Sequence, residues 1–237
     1  MQNQKLEDIQ ANIYDFLDKA NKVLLKEDSL FYGGQYITGC LENPKILFIG
    51  INPGFAANDE WGDRPHTFNR KTFSQKDCKY IEEAKRKNSL ALKVVEYLLN
   101  NENDLLKKCA ETSFKSFFAT SNENGIDGSL KNLSSSGLQV EHHKIMNDAI
   151  KTIIEEISPE NIVFIGKTVF DNFVCTFGCK KTEIKEMTSL SGKTKRIFYQ
   201  KTFFNGIPTH GVLHLSGAQP STKILDELKN IFKSVIS

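Results

Sequence analysis

Two short, continuous apolar runs constrain the fold of this chain more than any other feature. Residues 46–49 are Ile-Leu-Phe-Ile and residues 162–165 are Ile-Val-Phe-Ile, and turn-forming residues bound both runs. A run of this kind is typical of a strand that is buried on both faces. Such strands occur in parallel sheets covered by helices on each side, so the two runs predict an α/β fold.

Helical patterns lie between and around these runs. Apolar residues spaced three or four apart predict an N-terminal helix over about residues 6–25 and a helix over 142–157. Together with the remaining patterns they predict a three-layer α/β/α sandwich with a mainly parallel central sheet. No composition break or internal repeat divides the chain, so we expect a single domain over residues 1–237. The other expected helices cover 89–99, 168–177 and 221–235, and the other expected strands cover 116–120, 197–199 and 211–215.

Composition excludes several classes of protein. With 39% hydrophobic and 25% charged residues the chain is typical of a soluble globular protein. No run approaches the roughly 18 apolar residues of a membrane span, and the polar start lacks the pattern of a secretory signal, so we expect a cytoplasmic protein that binds no membrane. The odd, scattered set of five cysteines favours reduced thiols over a disulfide framework.

Polar residues that follow the predicted strands are the first candidates for a site, because ligands of open parallel sheets bind beyond the carboxyl ends of the strands. Three such segments stand out: residues 50–54, 120–124 and 214–219. Residues 166–168, Gly-Lys-Thr, suggest the end of a phosphate-binding loop. The glycine that such a loop needs five positions earlier is Asn161, so we do not expect a nucleoside triphosphatase.

Two of these segments resemble motifs of the uracil-DNA glycosylase superfamily. Residues 50–54, Gly-Ile-Asn-Pro-Gly, equal a motif of its mismatch-specific (thymine/uracil mismatch) branch, and residues 214–218, His-Leu-Ser-Gly-Ala, are similar to its His-Pro-Ser-Gly loop. Weaker similarity lies in Arg64-Pro65 with Asn69-Arg70, and in residues 163–167. The resemblance covers the framework of residues 45–235 and is specific at only a few positions within it.

The resemblance implies hydrolysis of the N-glycosidic bond of uracil or another deaminated or modified base. Such a reaction passes through an oxocarbenium-like sugar and an anionic base, so the site needs an oriented water and donors aimed at the departing oxygen. By resemblance, Asn52 positions the water and His214 donates to the base. An amide cannot accept the proton of the water, so we expect slow chemistry.

The same resemblance implies a set of base-binding residues. Gly54 stands where the most uracil-selective branch has a tyrosine, which leaves room at the C5 edge of the base and predicts a broader substrate range. Trp61 is the first choice for an aromatic side chain that stacks on an extruded base, and Phe55 is the second. Asn122 stands where several branches place a base-reading asparagine. The expected base-binding residues are therefore Ile51, Gly54, Phe55, Trp61, Asn122 and Ser216.

Departures from the family pattern affect the expected DNA contacts. Leu215 replaces the usual proline, and Ala218 with Gln219 stands where a leucine or arginine wedge enters the duplex. A short alanine cannot fill the vacated base stack, so we expect single-stranded or mismatched DNA, or a free nucleobase or nucleoside, as the partner of a monomer. The expected DNA contacts are Gly217, Ala218 and Gln219 with Lys193, Lys195 and Arg196 of a basic stretch, for which a solvated hairpin is the alternative.

No cofactor or metal is expected. The iron–sulfur branches of the superfamily need four cysteines, two of them close together near the start, and only Cys40 precedes Cys78 here. Cys175 and Cys179 are one helical turn apart and are interpreted as core thiols. Two alternatives to a glycosylase remain: a non-catalytic nucleic-acid or nucleotide-binding module on the same fold, and a hydrolase of free nucleosides.

Overall fold

A computed structural model describes residues 2–24, 32–33, 37–51, 74–75, 78–114, 117–118, 130–131, 133–188, 195–215 and 221–237. The chain groups into two compact units. The first comprises Met1–Ile37, Asn52–Ser74 and Thr112–Glu156, and the second comprises Thr38–Ile51, Gln75–Glu111 and Ile157–Ser237. The single domain expected over residues 1–237 stays a prediction.

Six helices and ten strands are named below. The helices are α1 (Gln2–Leu24), α2 (Lys79–Lys85), α3 (Ser89–Lys93), α4 (Leu138–Ile157), α5 (Lys167–Thr176) and α6 (Thr222–Ile236). The strands are β1 (Tyr32–Gly33), β2 (Ile37–Gly39), β3 (Ile46–Gly50), β4 (Ser74–Gln75), β5 (Cys109–Ser113), β6 (Phe117–Phe118), β7 (Ile162–Ile165), β8 (Glu183–Thr188), β9 (Lys195–Phe204) and β10 (Ile207–Val212). A π-helical turn, Val94–Leu98, continues α3.

Eight of the strands form one sheet in the order β4-β2-β5-β3-β7-β10-β9-β8, whereas β1 pairs with β6 in a separate antiparallel ribbon. β7 runs parallel to both of its neighbours, β3 and β10. β9 runs antiparallel to β10 and to β8. The expected α/β class is confirmed, and the sheet is mixed, because a three-stranded antiparallel side adjoins its parallel centre.

Both faces of the parallel centre are covered by helices, which explains the continuous apolar runs. On one face, the Phe164 ring of β7 lies 6.0 Å from that of Phe170 and 4.6 Å from that of Phe173, both in α5. On the other face, Val163 and Ile165 belong to a buried cluster that includes α6 and the π-helical turn. Since successive strand residues face opposite sides, every residue of β7 has to be apolar.

A tight hairpin joins β9 to β10. Asn205 and Gly206 connect the two strands with φ of 50° and 82°. Two successive left-handed residues are typical of a type I′ turn, for which Asn-Gly is the favoured pair. The strand predicted over 197–199 and the first two residues of the one predicted over 211–215 are therefore parts of a longer hairpin, which the Asn-Gly pair signals in the sequence. Residues 213–215 lie beyond β10, so that part of the prediction is wrong.

In the first unit, α1 and α4 run antiparallel. Lys5 bonds Glu156 at 2.6 Å and Lys19 bonds Glu141 at 2.9 Å, so the start of one helix lies beside the end of the other. Between these pairs, the rings of Phe16 and buried His142 are 5.5 Å apart.

Among the described residues, no helix is long and apolar enough to cross a lipid bilayer.

The strand expected over 116–120 does not join the main sheet. Phe117 and Phe118 pair with β1, and the place beside β3 belongs to β5, which the apolar pattern did not indicate. β5 carries the buried carboxyl of Glu111, which accepts a hydrogen bond from Thr38 Oγ1 at 3.4 Å. Burial raises the pKa of Glu111, against the opposing effect of Lys79. A strand with a charged residue at its centre lacks the continuous apolar signal of β3 and β7.

Candidate active site

The parallel register brings the ends of β3, β7 and β10 to one edge of the sheet. Ile49 pairs with Phe164 and Ile165 with Val212, so Ile51 and Gly166 stand level just beyond their strands. β7 lies between the other two strands, which places their backbones about 10 Å apart, two strand spacings. Ile51, which follows β3, and Leu213, which follows β10, therefore stand on opposite sides of Gly166.

His214 is a titratable side chain at this edge. It follows β10 by two residues, and part of the residue is exposed to solvent while part is covered by protein. The ring lies against Gly166: a Cβ built on Gly166 would stand 3.9 Å from His214 Cδ2. Desolvation by the surrounding protein lowers the pKa of His214 below its usual 6.5. At neutral pH the imidazole is therefore uncharged, with one N–H donor and one acceptor nitrogen.

Gly166, the residue beside that ring, has an unusual backbone conformation. Its φ of +125° is one that L side chains rarely adopt, and its N–H donates to the Val212 carbonyl at 2.9 Å. The residue also caps α5. The backbone conformation favours glycine here, because L side chains rarely adopt this φ, whereas a Cβ would meet the His214 ring only at ordinary contact distance.

Lys167 follows Gly166, and its ammonium is engaged within α5. Its Nζ lies 2.8 Å from Asp171 Oδ2, and Lys181 Nζ lies 2.6 Å from Asp171 Oδ1. Partial burial opposes ionisation of Asp171, but the hydrogen bonds from the two lysines outweigh it and lower the pKa of this carboxyl. Both lysines are thus directed toward a carboxylate, which agrees with the absence of a phosphate-loop pattern in the sequence.

The turn after His214 is held by the side chain and the carbonyl of Leu215. The Leu215 side chain is fully buried, and its carbonyl accepts a hydrogen bond from Lys93 Nζ at 2.8 Å. This pairing joins the end of α3 to the turn after β10. No pattern in the sequence indicates it, because the two residues are 122 positions apart.

The described residues contain four of the expected site residues. Ile51 is half-buried at the end of β3, and His214 lies at the same edge of the sheet. Lys195 and Arg196 are exposed at the start of β9. The remaining expected residues lie outside the described ranges: Asn52, Gly54, Phe55, Trp61, Asn122, Lys193, Ser216, Gly217, Ala218 and Gln219.

The strand that leads toward Asn122 is not part of the parallel sheet. Asn122 was expected to follow a strand of that sheet, and this basis for its choice is wrong, because residues 117–118 belong to the separate ribbon. The strand beside β3 is β5, which ends at buried Ser113. Ser113 was not singled out in the sequence because its strand lacks an apolar run.

Carboxylates accompany the basic stretch that was expected to contact DNA. Lys195 Nζ lies 4.0 Å from Glu186, and Lys185 Nζ lies 3.7 Å from Glu183 and 3.8 Å from Glu227. These side chains remain substantially exposed, so the pairs are weak and salt-sensitive. The net positive charge of this hairpin is smaller than its lysine count suggests.

The cysteines agree with one sequence prediction, on their oxidation state, and contradict another, on their burial. All five are free thiols, as the scattered spacing predicted. Cys175 is exposed and Cys179 half-buried, so the interpretation of this pair as core thiols is wrong. Cys175 lies in the last turn of α5, and Cys179 lies three residues beyond its end. Among the described residues, no cluster of three or more His, Cys, Asp or Glu side chains is arranged to hold a metal ion.

Taken together, the fold and the site define an α/β protein that presents a neutral histidine at the carboxyl edge of parallel strands. No protein-family model matches the chain, and no curated protein is significantly similar to it in sequence.

Proposed function

We propose that the protein is a DNA glycosylase-like hydrolase, which cleaves the N-glycosidic bond of uracil or another deaminated or modified base. The observation that carries the proposal is the common edge reached by β3 and β10. The Gly-Ile-Asn-Pro-Gly segment begins at the end of β3, and His214 follows the end of β10. Two motifs that are distant in sequence thus begin at the end of β3 and two residues beyond β10, the strands that flank β7.

The neutral state of His214 suits the proposed chemistry. In the reaction the C1′–N bond breaks, its electron pair leaves with the base, and water forms the new bond to C1′. Negative charge then grows on a carbonyl oxygen of the base, where the N–H of His214 donates a hydrogen bond. Because its pKa is low, the imidazole carries a single proton at neutral pH and acts as a donor, without protonating the base.

Asn52 has the complementary role in the proposal. It comes directly after Ile51, the last described residue of the β3 edge. Its amide orients the attacking water, whose proton passes to the departing base or to solvent, because an amide cannot accept it. By the resemblance, the proposed base-binding groups are the backbone around Ile51 and the residues Gly54, Phe55, Trp61, Asn122 and Ser216.

The finer fold assignment is part of the same proposal. α5 covers one face of the parallel centre, and α6 with the π-helical turn covers the other. This double cover supports the three-layer α/β/α architecture of the uracil-DNA glycosylase superfamily. It supports the fold alone, since many activities occur on one architecture.

A binding module without catalysis is the second candidate. The observation that favours it is Ala218 in the place of a wedge residue, because alanine cannot hold open a base stack. In that case His214 and Asn52 recognise a base or nucleotide that is not cleaved. The proposed partners are the same in both cases: single-stranded or mismatched DNA, or a free nucleobase or nucleoside.

Measurement of free base separates the two candidates. Oligonucleotides that contain uracil, hypoxanthine or xanthine, each in single-stranded, matched and mismatched form, are incubated with excess enzyme, and released base is quantified by chromatography. Free nucleosides form a parallel series. We expect release from at least one oligonucleotide, with single strands or mismatches preferred. Binding without release from every substrate would instead assign the module function.

A further inference from the structure

The turn that carries His214 needs an external support. His214 and Leu215 follow β10, which ends at Val212. A proline at position 215 would fix its own φ and restrict the residue before it. Leucine imposes neither restriction, so contacts with the rest of the unit must hold the turn.

Two contacts supply that support. The Leu215 side chain is fully buried in the cluster that includes α6 and the π-helical turn. The Leu215 carbonyl accepts the 2.8 Å hydrogen bond from the ammonium of Lys93, the last residue of α3. Charged donors make shorter and stronger hydrogen bonds than neutral ones, and this one is partly shielded from water.

We infer that Lys93 is a positioning residue for His214: it holds the backbone of Leu215, the next residue, and so keeps the ring against Gly166. The inference rests on the function proposed for His214. Lys93 bonds the backbone of Leu215, so its effect reaches the reaction through the histidine. The catalytic gain comes from orientation: a donor that is misdirected by a fraction of an ångström loses much of its value in the transition state.

The test uses three substitutions at Lys93 and one matched control. Lys93→Met keeps the aliphatic stem and removes the donor, Lys93→Gln keeps a shorter polar group, and Lys93→Arg keeps a charged donor. Lys87→Met makes the same chemical change in the exposed turn between α2 and α3. Each variant is measured for single-turnover base release, oligonucleotide affinity, thermal midpoint and the imidazole Cε1–H NMR signal of His214, which His214→Ala assigns.

We expect Lys93→Met and Lys93→Gln to release base roughly ten- to a hundredfold more slowly, the size of effect that misplacement of a catalytic group produces. Oligonucleotide affinity should change less than twofold. The His214 signal should shift or broaden, because the ring is no longer held in one orientation. Lys93→Arg and Lys87→Met should resemble the unmodified protein in all four measurements.

An unchanged His214 signal in folded Lys93→Met and Lys93→Gln would overturn the inference. Should Lys93→Met fail to fold, Lys93→Gln decides the question, since it retains a polar group at this half-buried position. The NMR readout needs no substrate. If the unmodified protein released no base from any oligonucleotide while the His214 signal still moved in Lys93→Gln, the proposed hydrolase would be wrong and the positioning role would stand.

Discussion

The imidazole of His214 lies against the backbone of Gly166, where a Cβ would stand 3.9 Å from Cδ2 of the ring and 3.6 Å from Cγ2 of Val169. Gly166 also has a φ of +125° and caps α5. The histidine is thus placed by a residue without a side chain, at a point where a strand turns into a helix. Any L residue at this position has to strain or rotate the peptide on which the ring rests.

Gly166→Ala should therefore impair both stability and activity. We expect a loss of about 1–3 kcal/mol in the free energy of unfolding from backbone strain, with slower base release and an altered His214 NMR signal. Gly206→Ala is the control, because Gly206 has φ +82° with no atom within 4 Å of a built Cβ. It should lose stability and leave base release unchanged. Equal effects of the two substitutions on base release would show that Gly166 does not place His214.

Asn52 and His214 should divide the chemistry between them. Asn52→Ala should abolish base release and spare DNA binding, because it removes the amide that orients water and touches no phosphate contact. His214→Ala should slow release by about 3–4 kcal/mol in activation free energy, as for other donors to a developing oxyanion. Single-turnover release and fluorescence anisotropy of a labelled oligonucleotide measure the two quantities. Full release by Asn52→Ala would contradict the mechanism.

His210 should make the protein sensitive to acid. Asn161 Nδ2 donates to the carbonyls of Lys45 and Val235, so its Oδ1 accepts from His210 Nε2, and His210 Nδ1 accepts from the Tyr199 hydroxyl. Burial and the nearby Lys201 lower the pKa of His210 to about 4. A proton on Nδ1 would reverse the bond with the Tyr199 hydroxyl and place a positive charge in this buried position near Lys201, so the folded state binds it poorly.

Proton linkage determines whether the stability of the folded protein rises or falls with pH. Between pH 6.5 and about 4 the unfolded chain protonates this histidine and the folded protein does not, so stability is full above 6.5 and falls as the pH drops through this window. The difference amounts to roughly 3 kcal/mol. Urea unfolding at pH 7, 6, 5 and 4 should show a steeper loss in the unmodified protein than in His210→Gln. Parallel pH profiles would show that His210 titrates normally.

Gly211 and Phe170 should be coupled energetically. A Cβ on Gly211 would overlap Phe170 Cγ and stand 2.7 Å from Phe170 Cδ2, so Gly211→Ala forces α5 away from β10 and should cost about 1–3 kcal/mol. Phe170→Ala removes Cγ and the ring and leaves only Cβ near the added methyl group. In a double-mutant cycle followed by urea unfolding, we expect the two substitutions together to cost less than the sum of each alone. Additive costs would mean that the sheet adjusts around the added methyl group without moving α5.

Oligonucleotide affinity should depend steeply on salt if the hairpin contacts DNA. We replace three basic residues with glutamine: Lys193, Lys195 and Arg196. The slope of log affinity against log salt should then become less steep by about 0.7–0.9 for each phosphate whose charge these side chains compensate. Because Lys195 lies 4.0 Å from Glu186, we expect Arg196→Gln to have a larger effect than Lys195→Gln. The control neutralises the exposed lysines 85, 107 and 108. If both triple variants gave the same slope, the hairpin would serve solubility alone.

The sequence by itself determined the elements whose signal is local. The apolar runs at 46–49 and 162–165 are strands β3 and β7, and the helix expected over 142–157 ends at Ile157 as observed. The resemblance also singled out His214 as a candidate, from its motif alone. These features can be read from the chain because burial on two faces, or along one helical face, leaves a pattern within a few neighbouring residues.

Only the tertiary structure decided which distant residues meet. It placed β5, with buried Glu111, beside β3, and moved residues 117–118 to a separate ribbon. It brought His214 against Gly166 and the ammonium of Lys93 to the Leu215 carbonyl. Contacts between residues far apart in the chain leave no periodicity in either segment, because each depends on strand order and helix packing, which the whole folded core sets at once.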